Sequence, residues 1–141
     1  MVSLVENLSK RDCFTIDENE KISLIFTLLK RHNIGCLVVT KKKNTKPSGI
    51  VSERDIVRNF DSIYMGKSIK VKDIMTKKII YCDMNATSKD IMEIMSANKI
   101  RHLPIIDKDI LKGIVSIGDV VNRIISKYEQ ETRFLKEYIN S

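Results

Sequence analysis

The phrase GIVSERD at residues 49–55 recurs as GIVSIGD at residues 113–119 in a chain of 141 residues. The sequence upstream repeats as well, because residues 16–39 align with residues 82–105 at a constant offset. The offset shrinks at the glycines, so the first copy has a slightly longer, lysine-rich loop at residues 41–46. Loops tolerate such length changes better than helices or strands do. The chain therefore contains two copies of one structural unit.

Each copy combines apolar residues at helical spacing with short apolar runs that are typical of buried strands. The helical stripes are Ile22, Ile25, Phe26 and Leu29 in the first copy and, after the candidate caps Thr87 and Ser88, Ile91, Ile94 and Met95 in the second. The strand-like runs span residues 36–39 and 49–51 in the first copy and residues 103–106 and 113–115 in the second. A further helix is expected to begin at Ser52 and at Ser116, since serine favours helix N-termini. The pattern predicts a mixed α/β (α+β) fold in which each copy runs strand, helix, strand, strand, helix.

The final helix continues beyond the second copy. Its apolar residues keep one stripe over about five turns. They are Val121, Ile124, Ile125, Tyr128, Leu135, Tyr138 and Ile139. A fold this small has little surface of its own to cover such a stripe, so the sequence predicts a homodimer. The alternative is that the helix packs back on the chain's own N-terminal segment.

The composition is that of an ordinary globular chain with a basic surface. Hydrophobic residues make up 43% of the chain, and Lys and Arg outnumber Asp and Glu by 25 to 18. The net charge of +7 attracts anions such as nucleotides or nucleic acid. Residues 41–43 are all lysine, but turn formers follow them, which favours a solvated loop tip. With no secretory signal and no apolar run long enough to span a bilayer, we expect a cytoplasmic protein without membrane contact.

The sequence lacks the patterns of a metal site or a catalytic centre. Cys13, Cys36 and Cys82 are widely spaced and form no CxxC pair, which favours free thiols in a reducing compartment. We find no nucleophile paired with a base and no GxxxxGK[ST] phosphate loop. No enzymatic activity, catalytic cofactor or metal is expected.

The repeated phrase places a serine hydroxyl and an aspartate carboxylate in the first turn of a helix. The free N–H groups and the positive end of the helix dipole suit a phosphate there, and a carboxylate can accept both hydroxyls of a ribose. The alternative is structural, because Ser followed three residues later by Asp is a variant of the helix capping box. The residue types alone leave both interpretations open.

The whole pattern resembles the cystathionine β-synthase (CBS) domain family, in which two copies in tandem form a Bateman module. The resemblance rests on the two repeated phrases, on IRHLPI at residues 100–105 and on KDIMT at residues 72–76, which looks like the family's linker between repeats. The chain is similar in particular to small stand-alone bacterial CBS pairs. The resemblance implies two βαββα repeats packed with pseudo-two-fold symmetry around two clefts. The expected segments are an N-terminal segment 1–11, repeats 12–62 and 75–126, a linker 63–74 and a C-terminal helix extension 127–141.

The resemblance also implies the ligands and their sites. Family members bind AMP, ADP or ATP, and also NAD-type dinucleotides or S-adenosylmethionine. The ribose would be bound in one cleft by Ser52 with Asp55 and in the other by Ser116 with Asp119. The implied phosphate contacts are Arg54, Arg101 and His102, and the implied adenine pockets use Ile16, Val38, Thr76, Ile80 and Pro104. For His102 a purely structural role is the alternative.

These expectations describe a regulatory module that binds an adenine nucleotide, senses energy or redox state and acts on an effector protein through its conformation or dimer packing. The clefts are expected to differ in ligand or affinity, because Glu53 and Arg54 align with Ile117 and Gly118. One alternative is a basic nucleic-acid-binding protein, which the lack of an aromatic stacking platform disfavours. The other is a dimeric scaffold without a ligand.

Overall fold

A computed structural model of the chain describes residues 2–41, 46–66 and 68–140. The loop predicted around Lys42 and Lys43 lies outside these residues. The first half contains α1 (Leu4–Ser9), β1 (Thr15–Asp17), α2 (Ile22–His32), β2 (Cys36–Thr40), β3 (Gly49–Ser52), α3 (Glu53–Arg58) and α4 (Phe60–Tyr64). The second half contains α5 (Val71–Ile74), α6 (Ser88–Asn98), β4 (His102–Asp107), β5 (Ile110–Ser116) and α7 (Ile117–Asn140).

Two small sheets form the centre of the fold. In the first, β2 pairs parallel with β1 and antiparallel with β3. The second is the antiparallel pair of β4 and β5. Beside β4, the expected first strand of the second repeat is reduced to one parallel bridge between Cys82 and Ile105. The predicted mixed fold of two equivalent repeats with a long C-terminal helix is confirmed.

The core of each repeat is aliphatic. The predicted runs at residues 36–39 and 103–106 are buried along their whole length, as central strands covered on both faces must be. On α2, Ile22, Ile25 and Leu29 face the core, whereas Phe26 lies at the edge of the stripe and is 41% exposed. Helix α6 begins at the predicted cap Thr87, whose hydroxyl accepts from the backbone N–H of Asp90.

The short helix that precedes each repeat packs against the other repeat. Helix α1 adds Leu4, Val5 and Leu8 to the core of the second repeat, and α5 adds Val71 and Ile74 to the core of the first. Burial of an aliphatic side chain of this size contributes about 1.5–3 kcal/mol. Packing of α1 on the second repeat and of α5 on the first therefore holds the two repeats together. In both halves the short helix before one repeat contributes to the core of the other.

Helix α7 extends well beyond the second repeat. It spans 24 residues, or about 36 Å, and its one buried residue is Val120. Arg123 donates a hydrogen bond to the carbonyl of Val2, so the N-terminal segment does touch the beginning of the helix. The exposed apolar residues of α7 are Val121, Ile124, Ile125, Tyr128, Phe134, Leu135, Tyr138 and Ile139. Within the described ranges, no helix is both long and apolar enough to span a membrane.

Candidate functional site

A cleft of about 220 Å³ lies between the two repeats. Its walls come from the start of β2, the turn from β3 into α3, the segment after α5 and the start of β4. The lining residues are Gly35, Cys36, Ile50, Ser52, Glu53, Arg54, Asp55, Arg58, Thr76, Lys78, Ile80, Ile100, Arg101 and His102. The first-repeat ribose pair, all three predicted phosphate contacts, Thr76 and Ile80 thus line one cavity.

The strand-to-helix turn explains why Asp55 faces this cleft. β3 ends at Ser52, which is the N-cap of α3, and Asp55 is the third residue of the helix. Its Oδ2 accepts hydrogen bonds from the backbone N–H of Ser52 at 2.9 Å and from the Ser52 hydroxyl at 3.3 Å. Among the described residues Asp55 is the one buried charged side chain, with 6% of its surface exposed. Asp55 therefore caps the helix and also presents a carboxylate to the cleft.

The linker supplies a further partner for this carboxylate. The hydroxyl of Thr76 donates to Oδ1 of Asp55 at 2.9 Å. The backbone holds Thr76 there, because its N–H donates to the carbonyl of Ile50 at 2.8 Å and its carbonyl accepts from the N–H of Ile50 at 3.0 Å. The carboxylate is thus oriented by groups from two separate segments.

Four basic side chains line the same cleft: Arg54, Arg58, Lys78 and Arg101. All four are exposed at its surface. The guanidinium of Arg54 donates to the carbonyl of Lys99 at 3.1 Å, so it reaches from the first repeat to the end of α6 in the second. The cations outnumber the acids Glu53 and Asp55, and they make the cleft attractive to anions.

His102 forms the inner wall of the cleft on the side of the second repeat. Burial and the nearby charge of Arg101 lower the pKa of His102 below 6.5, although Glu53 and Asp119 oppose the shift. The imidazole is therefore neutral at pH 7, with one nitrogen able to donate and the other able to accept. Its ring lies close to Gly35, where an added Cβ would be 3.4 Å from Cε1.

The second repeated phrase has a different environment. Oδ2 of Asp119 accepts from the backbone N–H and the hydroxyl of Ser116, at 2.8 and 2.9 Å. Arg11 then forms two more hydrogen bonds to the same carboxylate, to Oδ1 at 2.9 Å and to Oδ2 at 2.7 Å. Burial alone would raise the pKa of Asp119, but the hydrogen bonds from Arg11 and Ser116 outweigh it and lower the pKa.

The remaining predicted adenine contacts lie in the strands. Ile16 and Val38 are buried in paired strands of the first repeat, and Pro104 is buried in β4, where its carbonyl accepts from the N–H of Cys82 at 3.0 Å. The sequence reasoning missed Arg11, Arg58 and Lys78. For Arg11 a signal existed: extending the repeat alignment backwards places it opposite Lys77, next to the cleft residue Thr76.

Burial shifts the pKa of the cysteine thiols upward. Burial raises the pKa of the Cys13 thiol to about 11 and that of Cys82 to about 11, so neither is a thiolate at neutral pH. In the part of the chain that the structure describes, no group of three or more His, Cys, Asp or Glu side chains could hold a metal ion.

Comparison with known proteins identifies the fold. A mitochondrial CBS domain-containing protein of Arabidopsis thaliana, CBSX3, is 38% identical over 117 residues, which cover 79% of this chain and 56% of that protein. The chain thus spans little more than half the length of that relative. The solved CBS-domain containing protein from Agrobacterium tumefaciens is 34% identical, with a TM-score of 0.76 over 85% of this chain and 94% of that one.

A second solved structure is the CBS domain pair of protein MJ0100 in complex with 5′-methylthioadenosine and S-adenosyl-L-methionine. It is 24% identical, with a TM-score of 0.75 over 86% of this chain and 99% of that one. The family model of the CBS domain matches residues 5–62 and again residues 71–126. Both repeats and their order are therefore accounted for, and the chain belongs to the CBS domain family as a tandem pair.

Proposed function

We propose that this chain is a regulatory module that binds an adenine nucleotide in the cleft at Asp55 and passes the resulting conformational change to a partner protein. The observation that carries the proposal is the composition of that cleft. A buried carboxylate, four basic side chains and an apolar wall surround one cavity. A ribose, a phosphate and an adenine need these three kinds of surface.

The ribose is assigned to Ser52 and Asp55. In the described structure, Oδ1 of Asp55 accepts one hydrogen bond, from Thr76. Its Oδ2 accepts two more, from Ser52. A carboxylate has about four lone-pair sites, so one site on Oδ1 remains for a ribose hydroxyl. The Thr76 hydroxyl and the cap of α3 keep the carboxylate aimed at the cleft, which reduces the cost of ordering it when a ligand binds.

The phosphate is assigned to the cationic rim. Arg54 and Arg101 come from different repeats, and their guanidinium forks match the geometry of phosphate oxygens. His102 adds a donor at the inner wall, and Lys78 adds a point charge from the segment after α5. A phosphate bound here contacts both repeats and this segment at once.

The adenine is assigned to the apolar wall formed by Ile50, Ile80 and Ile100. Thr76 lies beside this wall, while Ile16, Val38 and Pro104 are buried in the strands of the two repeats. The adenosine-type ligands of the MJ0100 pair support this class of ligand. We propose AMP, ADP and ATP as ligands, with NAD and S-adenosylmethionine as further members of the same class.

The regulatory step follows from the position of the cleft. A ligand that touches both repeats favours the relative placement of the repeats that it contacts best, and so shifts the population of conformers. The α7 stripe then provides a surface on which a homodimer could transmit the change. We assign the chain a sensing role for energy or redox state and no catalytic step.

The test is isothermal titration of AMP, ADP, ATP, NAD and S-adenosylmethionine into the wild type and into Asp55→Asn. At least one ligand should bind the wild type, and loss of the carboxylate should weaken that binding about tenfold or more, which corresponds to about 1.4 kcal/mol. Asp119→Asn is the matched control, because it makes the same change in the other copy of the phrase and should leave the cleft at Asp55 occupied.

Because Asp55 is buried, circular dichroism and urea unfolding must show that Asp55→Asn is folded at the titration temperature. Arg101→Met, at an exposed rim position, provides a second variant that should weaken the phosphate-bearing ligands. Titration with random duplex DNA at two salt concentrations tests the nucleic-acid alternative. A wild type that binds none of the five ligands would refute the proposal and favour the ligand-free scaffold.

A further inference from the structure

Arg11, in the N-terminal segment, binds the carboxylate of Asp119, which is the second candidate ribose contact. The guanidinium of Arg11 forms a two-pronged ion pair with Asp119, with N–O distances of 2.9 and 2.7 Å. Its Nη2 also donates to the carbonyl of Ile114 at 3.0 Å. Paired N–H···O bonds of this kind are among the stronger hydrogen bonds in proteins. The ion pair raises the pKa of Arg11 further, so both partners are charged at neutral pH.

The two repeats differ at this contact. Asp55 accepts from a neutral hydroxyl, that of Thr76, whereas Asp119 accepts from a cation. Both donors come from the segment after the short helix, α5 in one case and α1 in the other. In the repeat alignment Arg11 is opposite Lys77, one residue after Thr76, so the two donors come from corresponding segments but not from matching positions.

The Asp119 carboxylate already accepts about as many hydrogen bonds as a carboxylate can. It accepts four hydrogen bonds, two from Ser116 and two from Arg11, which is about the number of lone-pair sites that a carboxylate offers. The Asp55 carboxylate accepts three in the described structure. One ribose hydroxyl can thus bind Asp55 directly, whereas a ribose must replace Arg11 to bind Asp119.

We propose that Arg11 is a built-in competitor for a ribose at Asp119, so that an adenine nucleotide binds beside this carboxylate, at the counterpart of the Asp55 cleft, only when Arg11 releases it. The inference rests on the proposed function and adds its regulation. The two sites then differ: the cleft at Asp55 is ready to bind a nucleotide, whereas binding at Asp119 depends on the position of Arg11.

The contact is suited to reversible release. The Arg11 side chain is 45% exposed, so water can solvate the guanidinium when it leaves. The Asp119 side chain is only 18% exposed, so release requires a ligand or a partner that replaces the hydrogen bonds from Arg11. A ligand or a partner that binds the N-terminal segment would therefore open the site at Asp119.

The test is the stoichiometry of ligand binding, measured by isothermal titration of AMP and ATP into the wild type, Arg11→Ala and Lys10→Ala. Lys10 is the exposed neighbour of Arg11, and its substitution removes the same charge from the same segment. We expect one ligand per chain for the wild type and for Lys10→Ala, and two for Arg11→Ala. Circular dichroism should show that all three proteins are folded.

The Asp55→Asn background separates the two clefts. There Arg11→Ala should restore one site per chain, while Asp55→Asn alone should bind at least tenfold more weakly. Two sites in the wild type, or one site in both the wild type and Arg11→Ala, would overturn the inference and leave the proposed function standing. Binding by Arg11→Ala alone, with none by the wild type, would support the inference and refute the proposed site at Asp55. No binding by any of the proteins would refute both.

Discussion

The hydroxyl of Thr76 donates to Oδ1 of Asp55 at 2.9 Å and so connects the linker to the signature carboxylate of the first repeat. Thr76 is separated from Asp55 by the rest of α3 and by α4 and α5. It reaches the carboxylate because α5 packs into the core of the first repeat. The geometry of the cleft thus depends on the path of the linker as well as on the repeated phrase.

Thr76→Val tests this connection. Valine keeps the shape of threonine but cannot donate, so we expect the free energy of unfolding to fall by about 1 kcal/mol. The carboxylate also loses the donor that orients it, so ligand binding at Asp55 should weaken several-fold. Urea unfolding and titration measure the two effects. The same change at the exposed strand residue Thr15 should leave binding unaltered, and equal losses of affinity in both variants would contradict the role of Thr76.

A matched pair of glycine substitutions probes how closely the linker packs on β3. A Cβ added at Gly49 would lie 2.7 Å from Sδ of Met75 and 2.9 Å from the carbonyl oxygen of Thr76. Gly49→Ala should therefore destabilise the fold by about 1–3 kcal/mol, as overpacking does. At Gly118, in α7, the nearest atom would be 3.6 Å away. Gly118→Ala should be neutral or stabilising by up to about 1 kcal/mol. Thermal unfolding should therefore show a lower melting temperature for Gly49→Ala and an unchanged or higher one for Gly118→Ala.

Arg54→Met tests whether the cationic rim selects for phosphate. Its guanidinium lines the cleft and donates to the carbonyl of Lys99, so it stands where a phosphate would bridge the repeats. We expect affinity for ATP to fall about tenfold or more, while affinity for adenosine changes little, because charged hydrogen bonds contribute about 1.5–3 kcal/mol. Lys112→Met, at an exposed position of β5, controls for net charge. Equal losses for ATP and adenosine would show that Arg54 supports the cleft without contacting phosphate.

The stability of the fold should fall on acidification because of His102. Its pKa in the folded chain lies below 6.5, so the unfolded chain binds the proton more readily, and stability rises with pH through this window. Between about pH 7.5 and 5.5, the wild type should therefore lose more stability than His102→Gln. The same substitution at His32, which stacks on Phe14, is the control. Parallel pH profiles for the wild type and His102→Gln would contradict the assignment.

The parts of the fold that local sequence determines were predictable. The caps at Ser52 and Thr87, the buried runs at residues 36–39 and 103–106 and the repeat itself depend on neighbouring residues and on periodicity. The repeated phrase also predicted that Ser and Asp meet at a helix start, as Oδ2 of Asp119 and the Ser116 hydroxyl do at 2.9 Å.

The contacts that depend on long-range packing were not predictable in the same way. Nothing local to α1 indicates that Leu4 and Leu8 belong to the core of the second repeat. The alignment of Arg11 with Lys77 therefore did not by itself identify Asp119 as its partner. The exposure of Phe26 has a similar cause, because a helical stripe predicts a face but not how far the neighbouring elements cover it.

The exposed stripe of α7 makes a prediction about assembly. Tyr128 and Leu135, one heptad apart, are 70% and 63% exposed, and Ile139 continues the stripe. Apolar residues that recur every seven positions pack well against a second helix of the same kind, and the charges of both signs along α7 permit pairing with a copy of itself. The proposed homodimer should therefore depend on this stripe.

Leu135→Asp with Ile139→Asp should convert the dimer to a monomer in light scattering coupled to size exclusion, while the helix content measured by circular dichroism changes little. Arg133→Asp is the control, because Arg133 lies on the opposite side of α7 and the change is also toward negative charge. The monomeric variant should still bind the nucleotide, because the cleft residues lie within one chain. A variant that stays dimeric would place the interface elsewhere and leave α7 for a different partner.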